Sequence, residues 1–165
     1  MKRFLIPFLL IIFLICGCGA QKEDNENTFT FYYVNKYFQY GQGDGIIVSE
    51  DRESTSERKD LMYLMSLYLI GPAEESHSMP LPVGTRIYCE TEEDGSVTLE
   101  LSNAANLMTD SEFTLACTCL SLTCFEISDV SEITIVNGER STTISRDNFL
   151  LSDDHALYSA SEEPQ

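Results

Sequence analysis

The side chains best suited to chemistry in this chain are six cysteines and two histidines. Cys117, Cys119 and Cys124 fall within one stretch, His77 lies among Ser76, Ser78 and Pro80, and His155 follows Asp153-Asp154. A Cys-x-Cys-x₄-Cys pattern suggests zinc, but on a helix Cys119 points away from Cys117. Cys124 would lie ~10 Å further along the axis, at ~1.5 Å per residue. That separation also forbids a Cys117–Cys124 disulfide, which needs Cα atoms within ~7 Å. Cys89 can meet Cys117 or Cys124 if that helix covers its strand, and small buried thiols are the simpler expectation. Neither histidine belongs to a His-Glu-x-x-His pair, and no Gly-x-Ser-x-Gly elbow is present. The acidic run Glu90-Thr91-Glu92-Glu93-Asp94 lacks the spaced ligands of a calcium loop and fits a solvated hairpin tip. No catalytic residue, metal site or cofactor is expected.

One cysteine has a different chemistry in prospect. Lys2-Arg3 precede an uninterrupted apolar run from Phe4 to Ile15, and Cys16-Gly17-Cys18 closes it before Gln21 to Asn27 turn polar. Basic start, apolar middle and small-residue end are the marks of an export leader. The terminal cysteine makes it similar to a bacterial lipobox, in which the thiol is acylated and the leader removed. Cys18 fits better than Cys16, because Gly17 precedes it. As a helix the apolar run is ~18 Å long at ~1.5 Å per residue, short of the ~30 Å hydrocarbon layer. Anchoring by acyl chains needs no span, since each buried methylene contributes ~0.8 kcal/mol. The expectation is a lipid anchor on the outer face of the cell membrane.

The 165 residues carry a formal charge of −17, and loss of Lys2 and Arg3 takes the exported part to −19. Such a surface repels nucleic-acid backbones and anionic lipid head groups. Apolar residues make up 43%, and 9 Phe with 8 Tyr supply bulk although Trp is absent, so one folded domain is expected.

The elements that must position these residues follow in order. Ala20 to Asn27 is a polar tether. Thr28 to Val34 predicts a strand, Lys36 to Gly45 a loop, and Ile46 to Glu53 a second strand. Ser54-x-x-Glu57 predicts a capping box for a helix over about 56–70, ended by Gly71-Pro72. Leu61, Leu64, Met65 and Tyr68 share one face there. Met62, Leu69 and Ile70 widen the stripe until little of the helix should face water. Thr85 to Glu92 and Ser96 to Ser102 predict a hairpin. Keeping Ile87, Cys89, Val97, Leu99 and Leu101 on one face requires a three-residue loop, Glu93-Asp94-Gly95. It pairs Cys89 with Leu99 and Ile87 with Leu101, with Gly95 in the left-handed position. Thr109-x-x-Glu112 predicts a cap for a helix from Asp110 to about Glu126. One stripe holds Phe113, Ala116, Cys117, Leu120, Cys124 and Ile127; another holds Leu115, Cys119 and Leu122. Val130 to Val136 and Arg140 to Ile144 form a closing pair about Asn137-Gly138.

The order of these pieces resembles the GerM domain of sporulation and spore-germination lipoproteins. The matching stations are Phe31-Tyr32-Tyr33-Val34-Asn35, Val48 to Arg52 with Glu50 and Arg52, and Ile70-Gly71-Pro72. Then come Pro82-Val83-Gly84-Thr85, Asp94-Gly95 leading to Leu99-Glu100-Leu101-Ser102, and Ile133 to Gly138. The resemblance implies an α+β fold, a single small domain with two buried helices packed on a mixed or antiparallel sheet of about four to six strands. With the composition along the chain, the expected division is a leader over 1–17, a tether over 18–27, the domain over 28–144 and an acidic tail over 145–165. The resemblance implies an assembly or localisation protein of the envelope, not a catalyst, with Glu50, Arg52, Gly71, Pro72, Gly84, Thr85, Ser102 and Gly138 as motif residues. The contact surface is then either the exposed strand edges or the Glu50/Arg52 region, unless Glu50 and Arg52 form a structural ion pair. Two other functions remain open. A ligand-binding lipoprotein of a transporter would need a compact pocket lined by Tyr32, Tyr37 and Tyr40. An envelope hydrolase would need His77 beside a serine and a carboxylate.

Overall fold

The first strand, β1, is apolar on both faces, and the rest of the fold follows from covering them. A computed structural model describes residues 27–40, 45–151 and 157–159. The expected leader, Cys18, most of the tether, part of the glycine-rich loop and His155 lie outside those residues. β1 (Thr28–Asn35) sends Phe31 and Tyr33 into the main core, while Tyr32 and Val34 join a second, smaller cluster. β2 (Ile47–Glu53) runs antiparallel to it with Phe31 opposite Glu50. On the other edge, among the described residues, lies β3 (His77–Ser78), pairing with Val34 and Asn35. The first sheet therefore has the order β2-β1-β3.

Helix α1 (Leu61–Tyr68) is shorter than the sequence predicts. The Ser54–Glu57 box does not form; Asp60 caps the helix, accepting from the Tyr63 amide at 3.0 Å. Arg58 grips the same carboxylate with bonds of 2.9 and 3.0 Å, and Ser54 instead bonds the Tyr63 hydroxyl. An aspartate fixed by a two-pronged guanidinium makes a stronger start than a serine six residues earlier. The truncated helix buries one face, Leu64, Met65 and Tyr68, and leaves Met62 and Ile70 exposed, contrary to expectation.

The second sheet contains β4 (Ile87–Thr91), β5 (Val97–Leu101), β6 (Glu132–Asn137) and β7 (Arg140–Ser145), in that order. Cys89 pairs with Leu99 and Ile87 with Leu101, the register that sidedness demands. The Glu92 amide bonds Ser96 O at 2.9 Å across the three-residue loop, and Gly95 takes φ +84°. β5 and β6 are parallel, so a crossover must join them. A short 3₁₀ helix (Asn103–Leu107) and α2 (Asp110–Ile127) supply it. α2 starts on the Thr109–Glu112 capping box and is buried continuously from Ala116 to Phe125. Arg146 reaches back from β7 to the carbonyls of Phe125, Ser128 and Val130, capping the helix's negative end.

The stripe Phe113, Ala116, Cys117, Leu120 and Cys124 shares the main core with Val97, Leu99, Leu101, Ile133 and Ile135. The stripe Leu115, Cys119 and Leu122 packs with Tyr32, Val34, Ile46 and Ile47 of the first sheet. The fold is α+β as expected, but the strands divide between two sheets instead of forming one. A strand apolar on both faces recruits a helix that is apolar on two stripes. Within the expected tail, β8 (Phe149–Leu151) and β9 (Leu157–Ser159) pair antiparallel.

Candidate functional site

Glu50 is the one acidic side chain of β2 that turns inward, and it is only 7% exposed. A buried carboxylate must be compensated, and its partners come from the turn after α1. The Ala73 amide donates to both carboxylate oxygens at 3.0 Å, and the Glu74 amide donates to Oε2 at 3.1 Å. Arg52 Nε lies 3.3 Å from Oε1, and His77 Nδ1 lies 3.4 Å from Oε2 without an aligned hydrogen bond. Gly71 makes the turn possible, with φ +94° three residues past the end of α1. Pro72 then carries the chain to Ala73. Four of the motif residues thus converge: Glu50 and Arg52 from β2, Gly71 and Pro72 from the turn.

Arg52 extends the cluster toward α1. Its guanidinium donates to Leu67 O at 3.1 Å and to the Tyr33 hydroxyl at 3.4 Å, and it lies over the Phe31 ring. Tyr33 stacks on Tyr68 with centroids 5.0 Å apart and donates to Tyr68 O. Burial pushes the Tyr33 phenol up to about 12, partly opposed by Arg52, so it is a donor at neutral pH. The cluster ties β1, β2, α1 and the turn together through charge-assisted bonds, with His77 of β3 alongside. His77 gains a carboxylate neighbour, but the adjacent Ser78 hydroxyl contacts Val34 O at 3.5 Å. Among the described residues no serine hydroxyl bonds His77.

The other four motif residues lie elsewhere. Thr85 closes a turn onto Pro82 O at 2.8 Å, with Gly84 at φ +86° before it. Ser102 Oγ accepts from the Arg86 amide at 3.0 Å, locking the open end of the β4–β5 hairpin. Gly138 forms the β6–β7 turn. Beside it is a cluster that sequence reasoning missed: Asn137, 2% exposed, donates to Leu101 O and Ser102 O and accepts from Arg140 at 2.7 Å. Arg140 also bonds Met108 O and Ala105 O and lies 4.4 Å from the Phe113 ring centroid. The only sequence signal was an Asn and an Arg flanking a Gly turn, which any hairpin tolerates.

The four described cysteines are free thiols. Burial raises Cys89 and Cys117 to about 11, Cys119 to about 12 and Cys124 higher still. They are protonated and unreactive at neutral pH. Among the described residues no group of three or more His, Cys, Asp or Glu is arranged to hold a metal, and no helix is long and apolar enough to cross a membrane. The three tyrosines do not gather into a compact pocket: Tyr32 packs in the small cluster, while Tyr37 and Tyr40 are 66% and 97% exposed.

What these elements define is a small α+β domain held by two separate polar clusters. Its fold is that of the GerMN domain. The first GerMN domain of the sporulation protein GerM from Bacillus subtilis superposes with a TM-score of 0.54 at 14% identity, over 70% of this chain and 85% of that one. The tandem GerMN domains of the same protein give 0.54 and 14% over 81% of this chain, which spans about half (51%) of that longer structure. A Clostridium perfringens crystal structure provisionally described as a lipoprotein aligns more loosely, at a TM-score of 0.42 and 17% identity over 81% and 87% of the two chains. No family model matches the sequence, and no curated protein matches it.

Proposed function

We propose that this protein is a lipid-anchored module of the cell envelope whose GerMN-type domain recognises another protein, in an assembly or localisation role connected with sporulation. Residues 1–17 are the leader, Cys18 the acylated anchor, 18–27 the tether, 28–144 the recognising domain and 145–165 an acidic tail. The fold shared with domains of a sporulation protein supports the sporulation connection. The observation that carries the interaction reading is the closure of the Glu50 cluster on itself. The carboxylate accepts from two backbone amides and pairs with Arg52, and Arg52 is committed to Leu67 O and Tyr33. A substrate or small ligand would have to displace these bonds, so recognition falls to the exposed surface.

Crosslinking in intact cells, followed by capture of the protein, tests this. One envelope protein recovered in stoichiometric amount is expected. Recovery of a small molecule alone would contradict it and favour a transporter's binding lipoprotein.

A further inference from the structure

The segment following β3 passes over the start of α2 and leaves a groove of about 340 Å³, lined by Met79, Pro80, Leu81, Pro82, Leu107, Met108 and Glu112. Its floor is apolar and firm: Leu81 and Met108 are buried members of the main core. Its rim is apolar and wet. Leu107, at the end of the 3₁₀ helix, is 86% exposed, and Val83, next to Pro82, is fully exposed. A lone exposed aliphatic side chain is ordinary, but Leu107 is exposed within the lining of the groove itself. Met79 and Met108 supply side chains that adapt to an occupant, while Pro80 and Pro82 stiffen one wall.

The charge around the groove says what kind of chain that is. Glu112 lines it, and the Thr109 bonds hold its carboxyl below the usual range, so it is ionised. Asp110, two residues away on the same first turn, is fully exposed. Among the described residues no Lys or Arg lines the groove. Arg140 approaches Asp110 only to 4.0 Å while its nitrogens serve the carbonyls of Met108 and Ala105. A trough lined by aliphatic and thioether side chains, with an anionic rim in a chain of net charge −17, complements an apolar side chain with a cation beside it.

We propose that this groove docks a short segment of a partner protein. The segment seats one aliphatic or aromatic side chain against Leu81, Met108 and Leu107, and places an adjacent Lys or Arg at Asp110 and Glu112. This rests on the reading of the domain as an interaction module and assigns that module its contact site.

Random peptides of about twelve residues, displayed on phage and selected on the intact chain in lipid nanodiscs, provide the probe. Enriched peptides are expected to share an apolar residue flanked by Lys or Arg. Leu107→Asp should weaken them at least about tenfold, or about 1.4 kcal/mol, with an unchanged circular dichroism spectrum because Leu107 is exposed. Asp110→Asn should weaken them less and flatten their salt dependence. Absence of enrichment, peptides without that pattern, or equal binding to Leu107→Asp would overturn the proposal. An envelope partner crosslinked equally well to wild type and Leu107→Asp would remove the groove and leave the module. No crosslinked protein at all would remove the module itself.

Discussion

Glu50 and Arg52, two residues apart on β2, place their side chains on the same face with Oε1 and Nε 3.3 Å apart, the carboxylate 6% exposed and the guanidinium 22%. The pair is a clamp. Glu50 holds the turn after α1 through the Ala73 and Glu74 amides, and Arg52 holds the helix's end through Leu67 O.

Glu50→Gln keeps the shape of the side chain and removes the charge. The new amide group opposes the two backbone donors, and Arg52 loses its counter-ion. Breaking one partner of a buried pair costs about 3–5 kcal/mol. Urea unfolding of the variant should show a lower midpoint with an unchanged slope.

The open edge of β1 is closed by side chains in place of a strand. The Tyr32 amide donates to Thr123 Oγ1 at 2.9 Å, and Tyr32 O accepts from the Tyr68 hydroxyl at 3.0 Å. Thr123→Val leaves that amide without its acceptor against an apolar helix, at about 1–3 kcal/mol. Thermal unfolding should fall accordingly, and hydrogen exchange at Tyr32 should accelerate beyond that of Tyr33.

Arg140 serves two carbonyls of the α2 approach and Asn137 with a planar fork, over the Phe113 ring. Arg140→Lys keeps the charge but cannot reach all three acceptors. A loss of about 1–2 kcal/mol is expected, since each lost bond contributes about 1 kcal/mol, measurable by denaturant titration.

The thiols give the stability its alkaline limit. Burial raises Cys117 and Cys119 from 9.0 to about 11 and about 12, and raises Cys124 further. Above pH 9 the unfolded chain releases these protons while the folded chain keeps them, so stability is full below pH 9 and falls as pH rises through the folded values. Equilibrium unfolding between pH 8 and 11 should show this decline. A thiol reagent at pH 8 should label Cys119 and Cys124 only as fast as the protein opens.

Local grammar was well represented in the sequence. The Thr109–Glu112 box, the two stripes of α2 and the β4–β5 register each follow from residues near one another in the chain, and each is present. Competition between local signals was harder to read. Ser54 offered a cap, but Asp60 held by Arg58 prevails, and nothing within the box itself reveals that. The division into two sheets turns on β1 being apolar on both faces, which a strand alternating only in its first residues conceals. Glu50 and Arg52 were recognisable as motif residues. Their joining to Ala73, Leu67 and His77 depends on segments brought together only by the fold.

The central claim is that the Glu50 cluster builds the domain and the outer surface recognises the partner. The direct test is the yield of crosslinked partner from cells carrying Glu50→Gln, measured per folded molecule at a temperature where the variant is fully folded. The account predicts the same yield as wild type. A folded Glu50→Gln protein that captures no partner would contradict it and make the Glu50 cluster the recognition site.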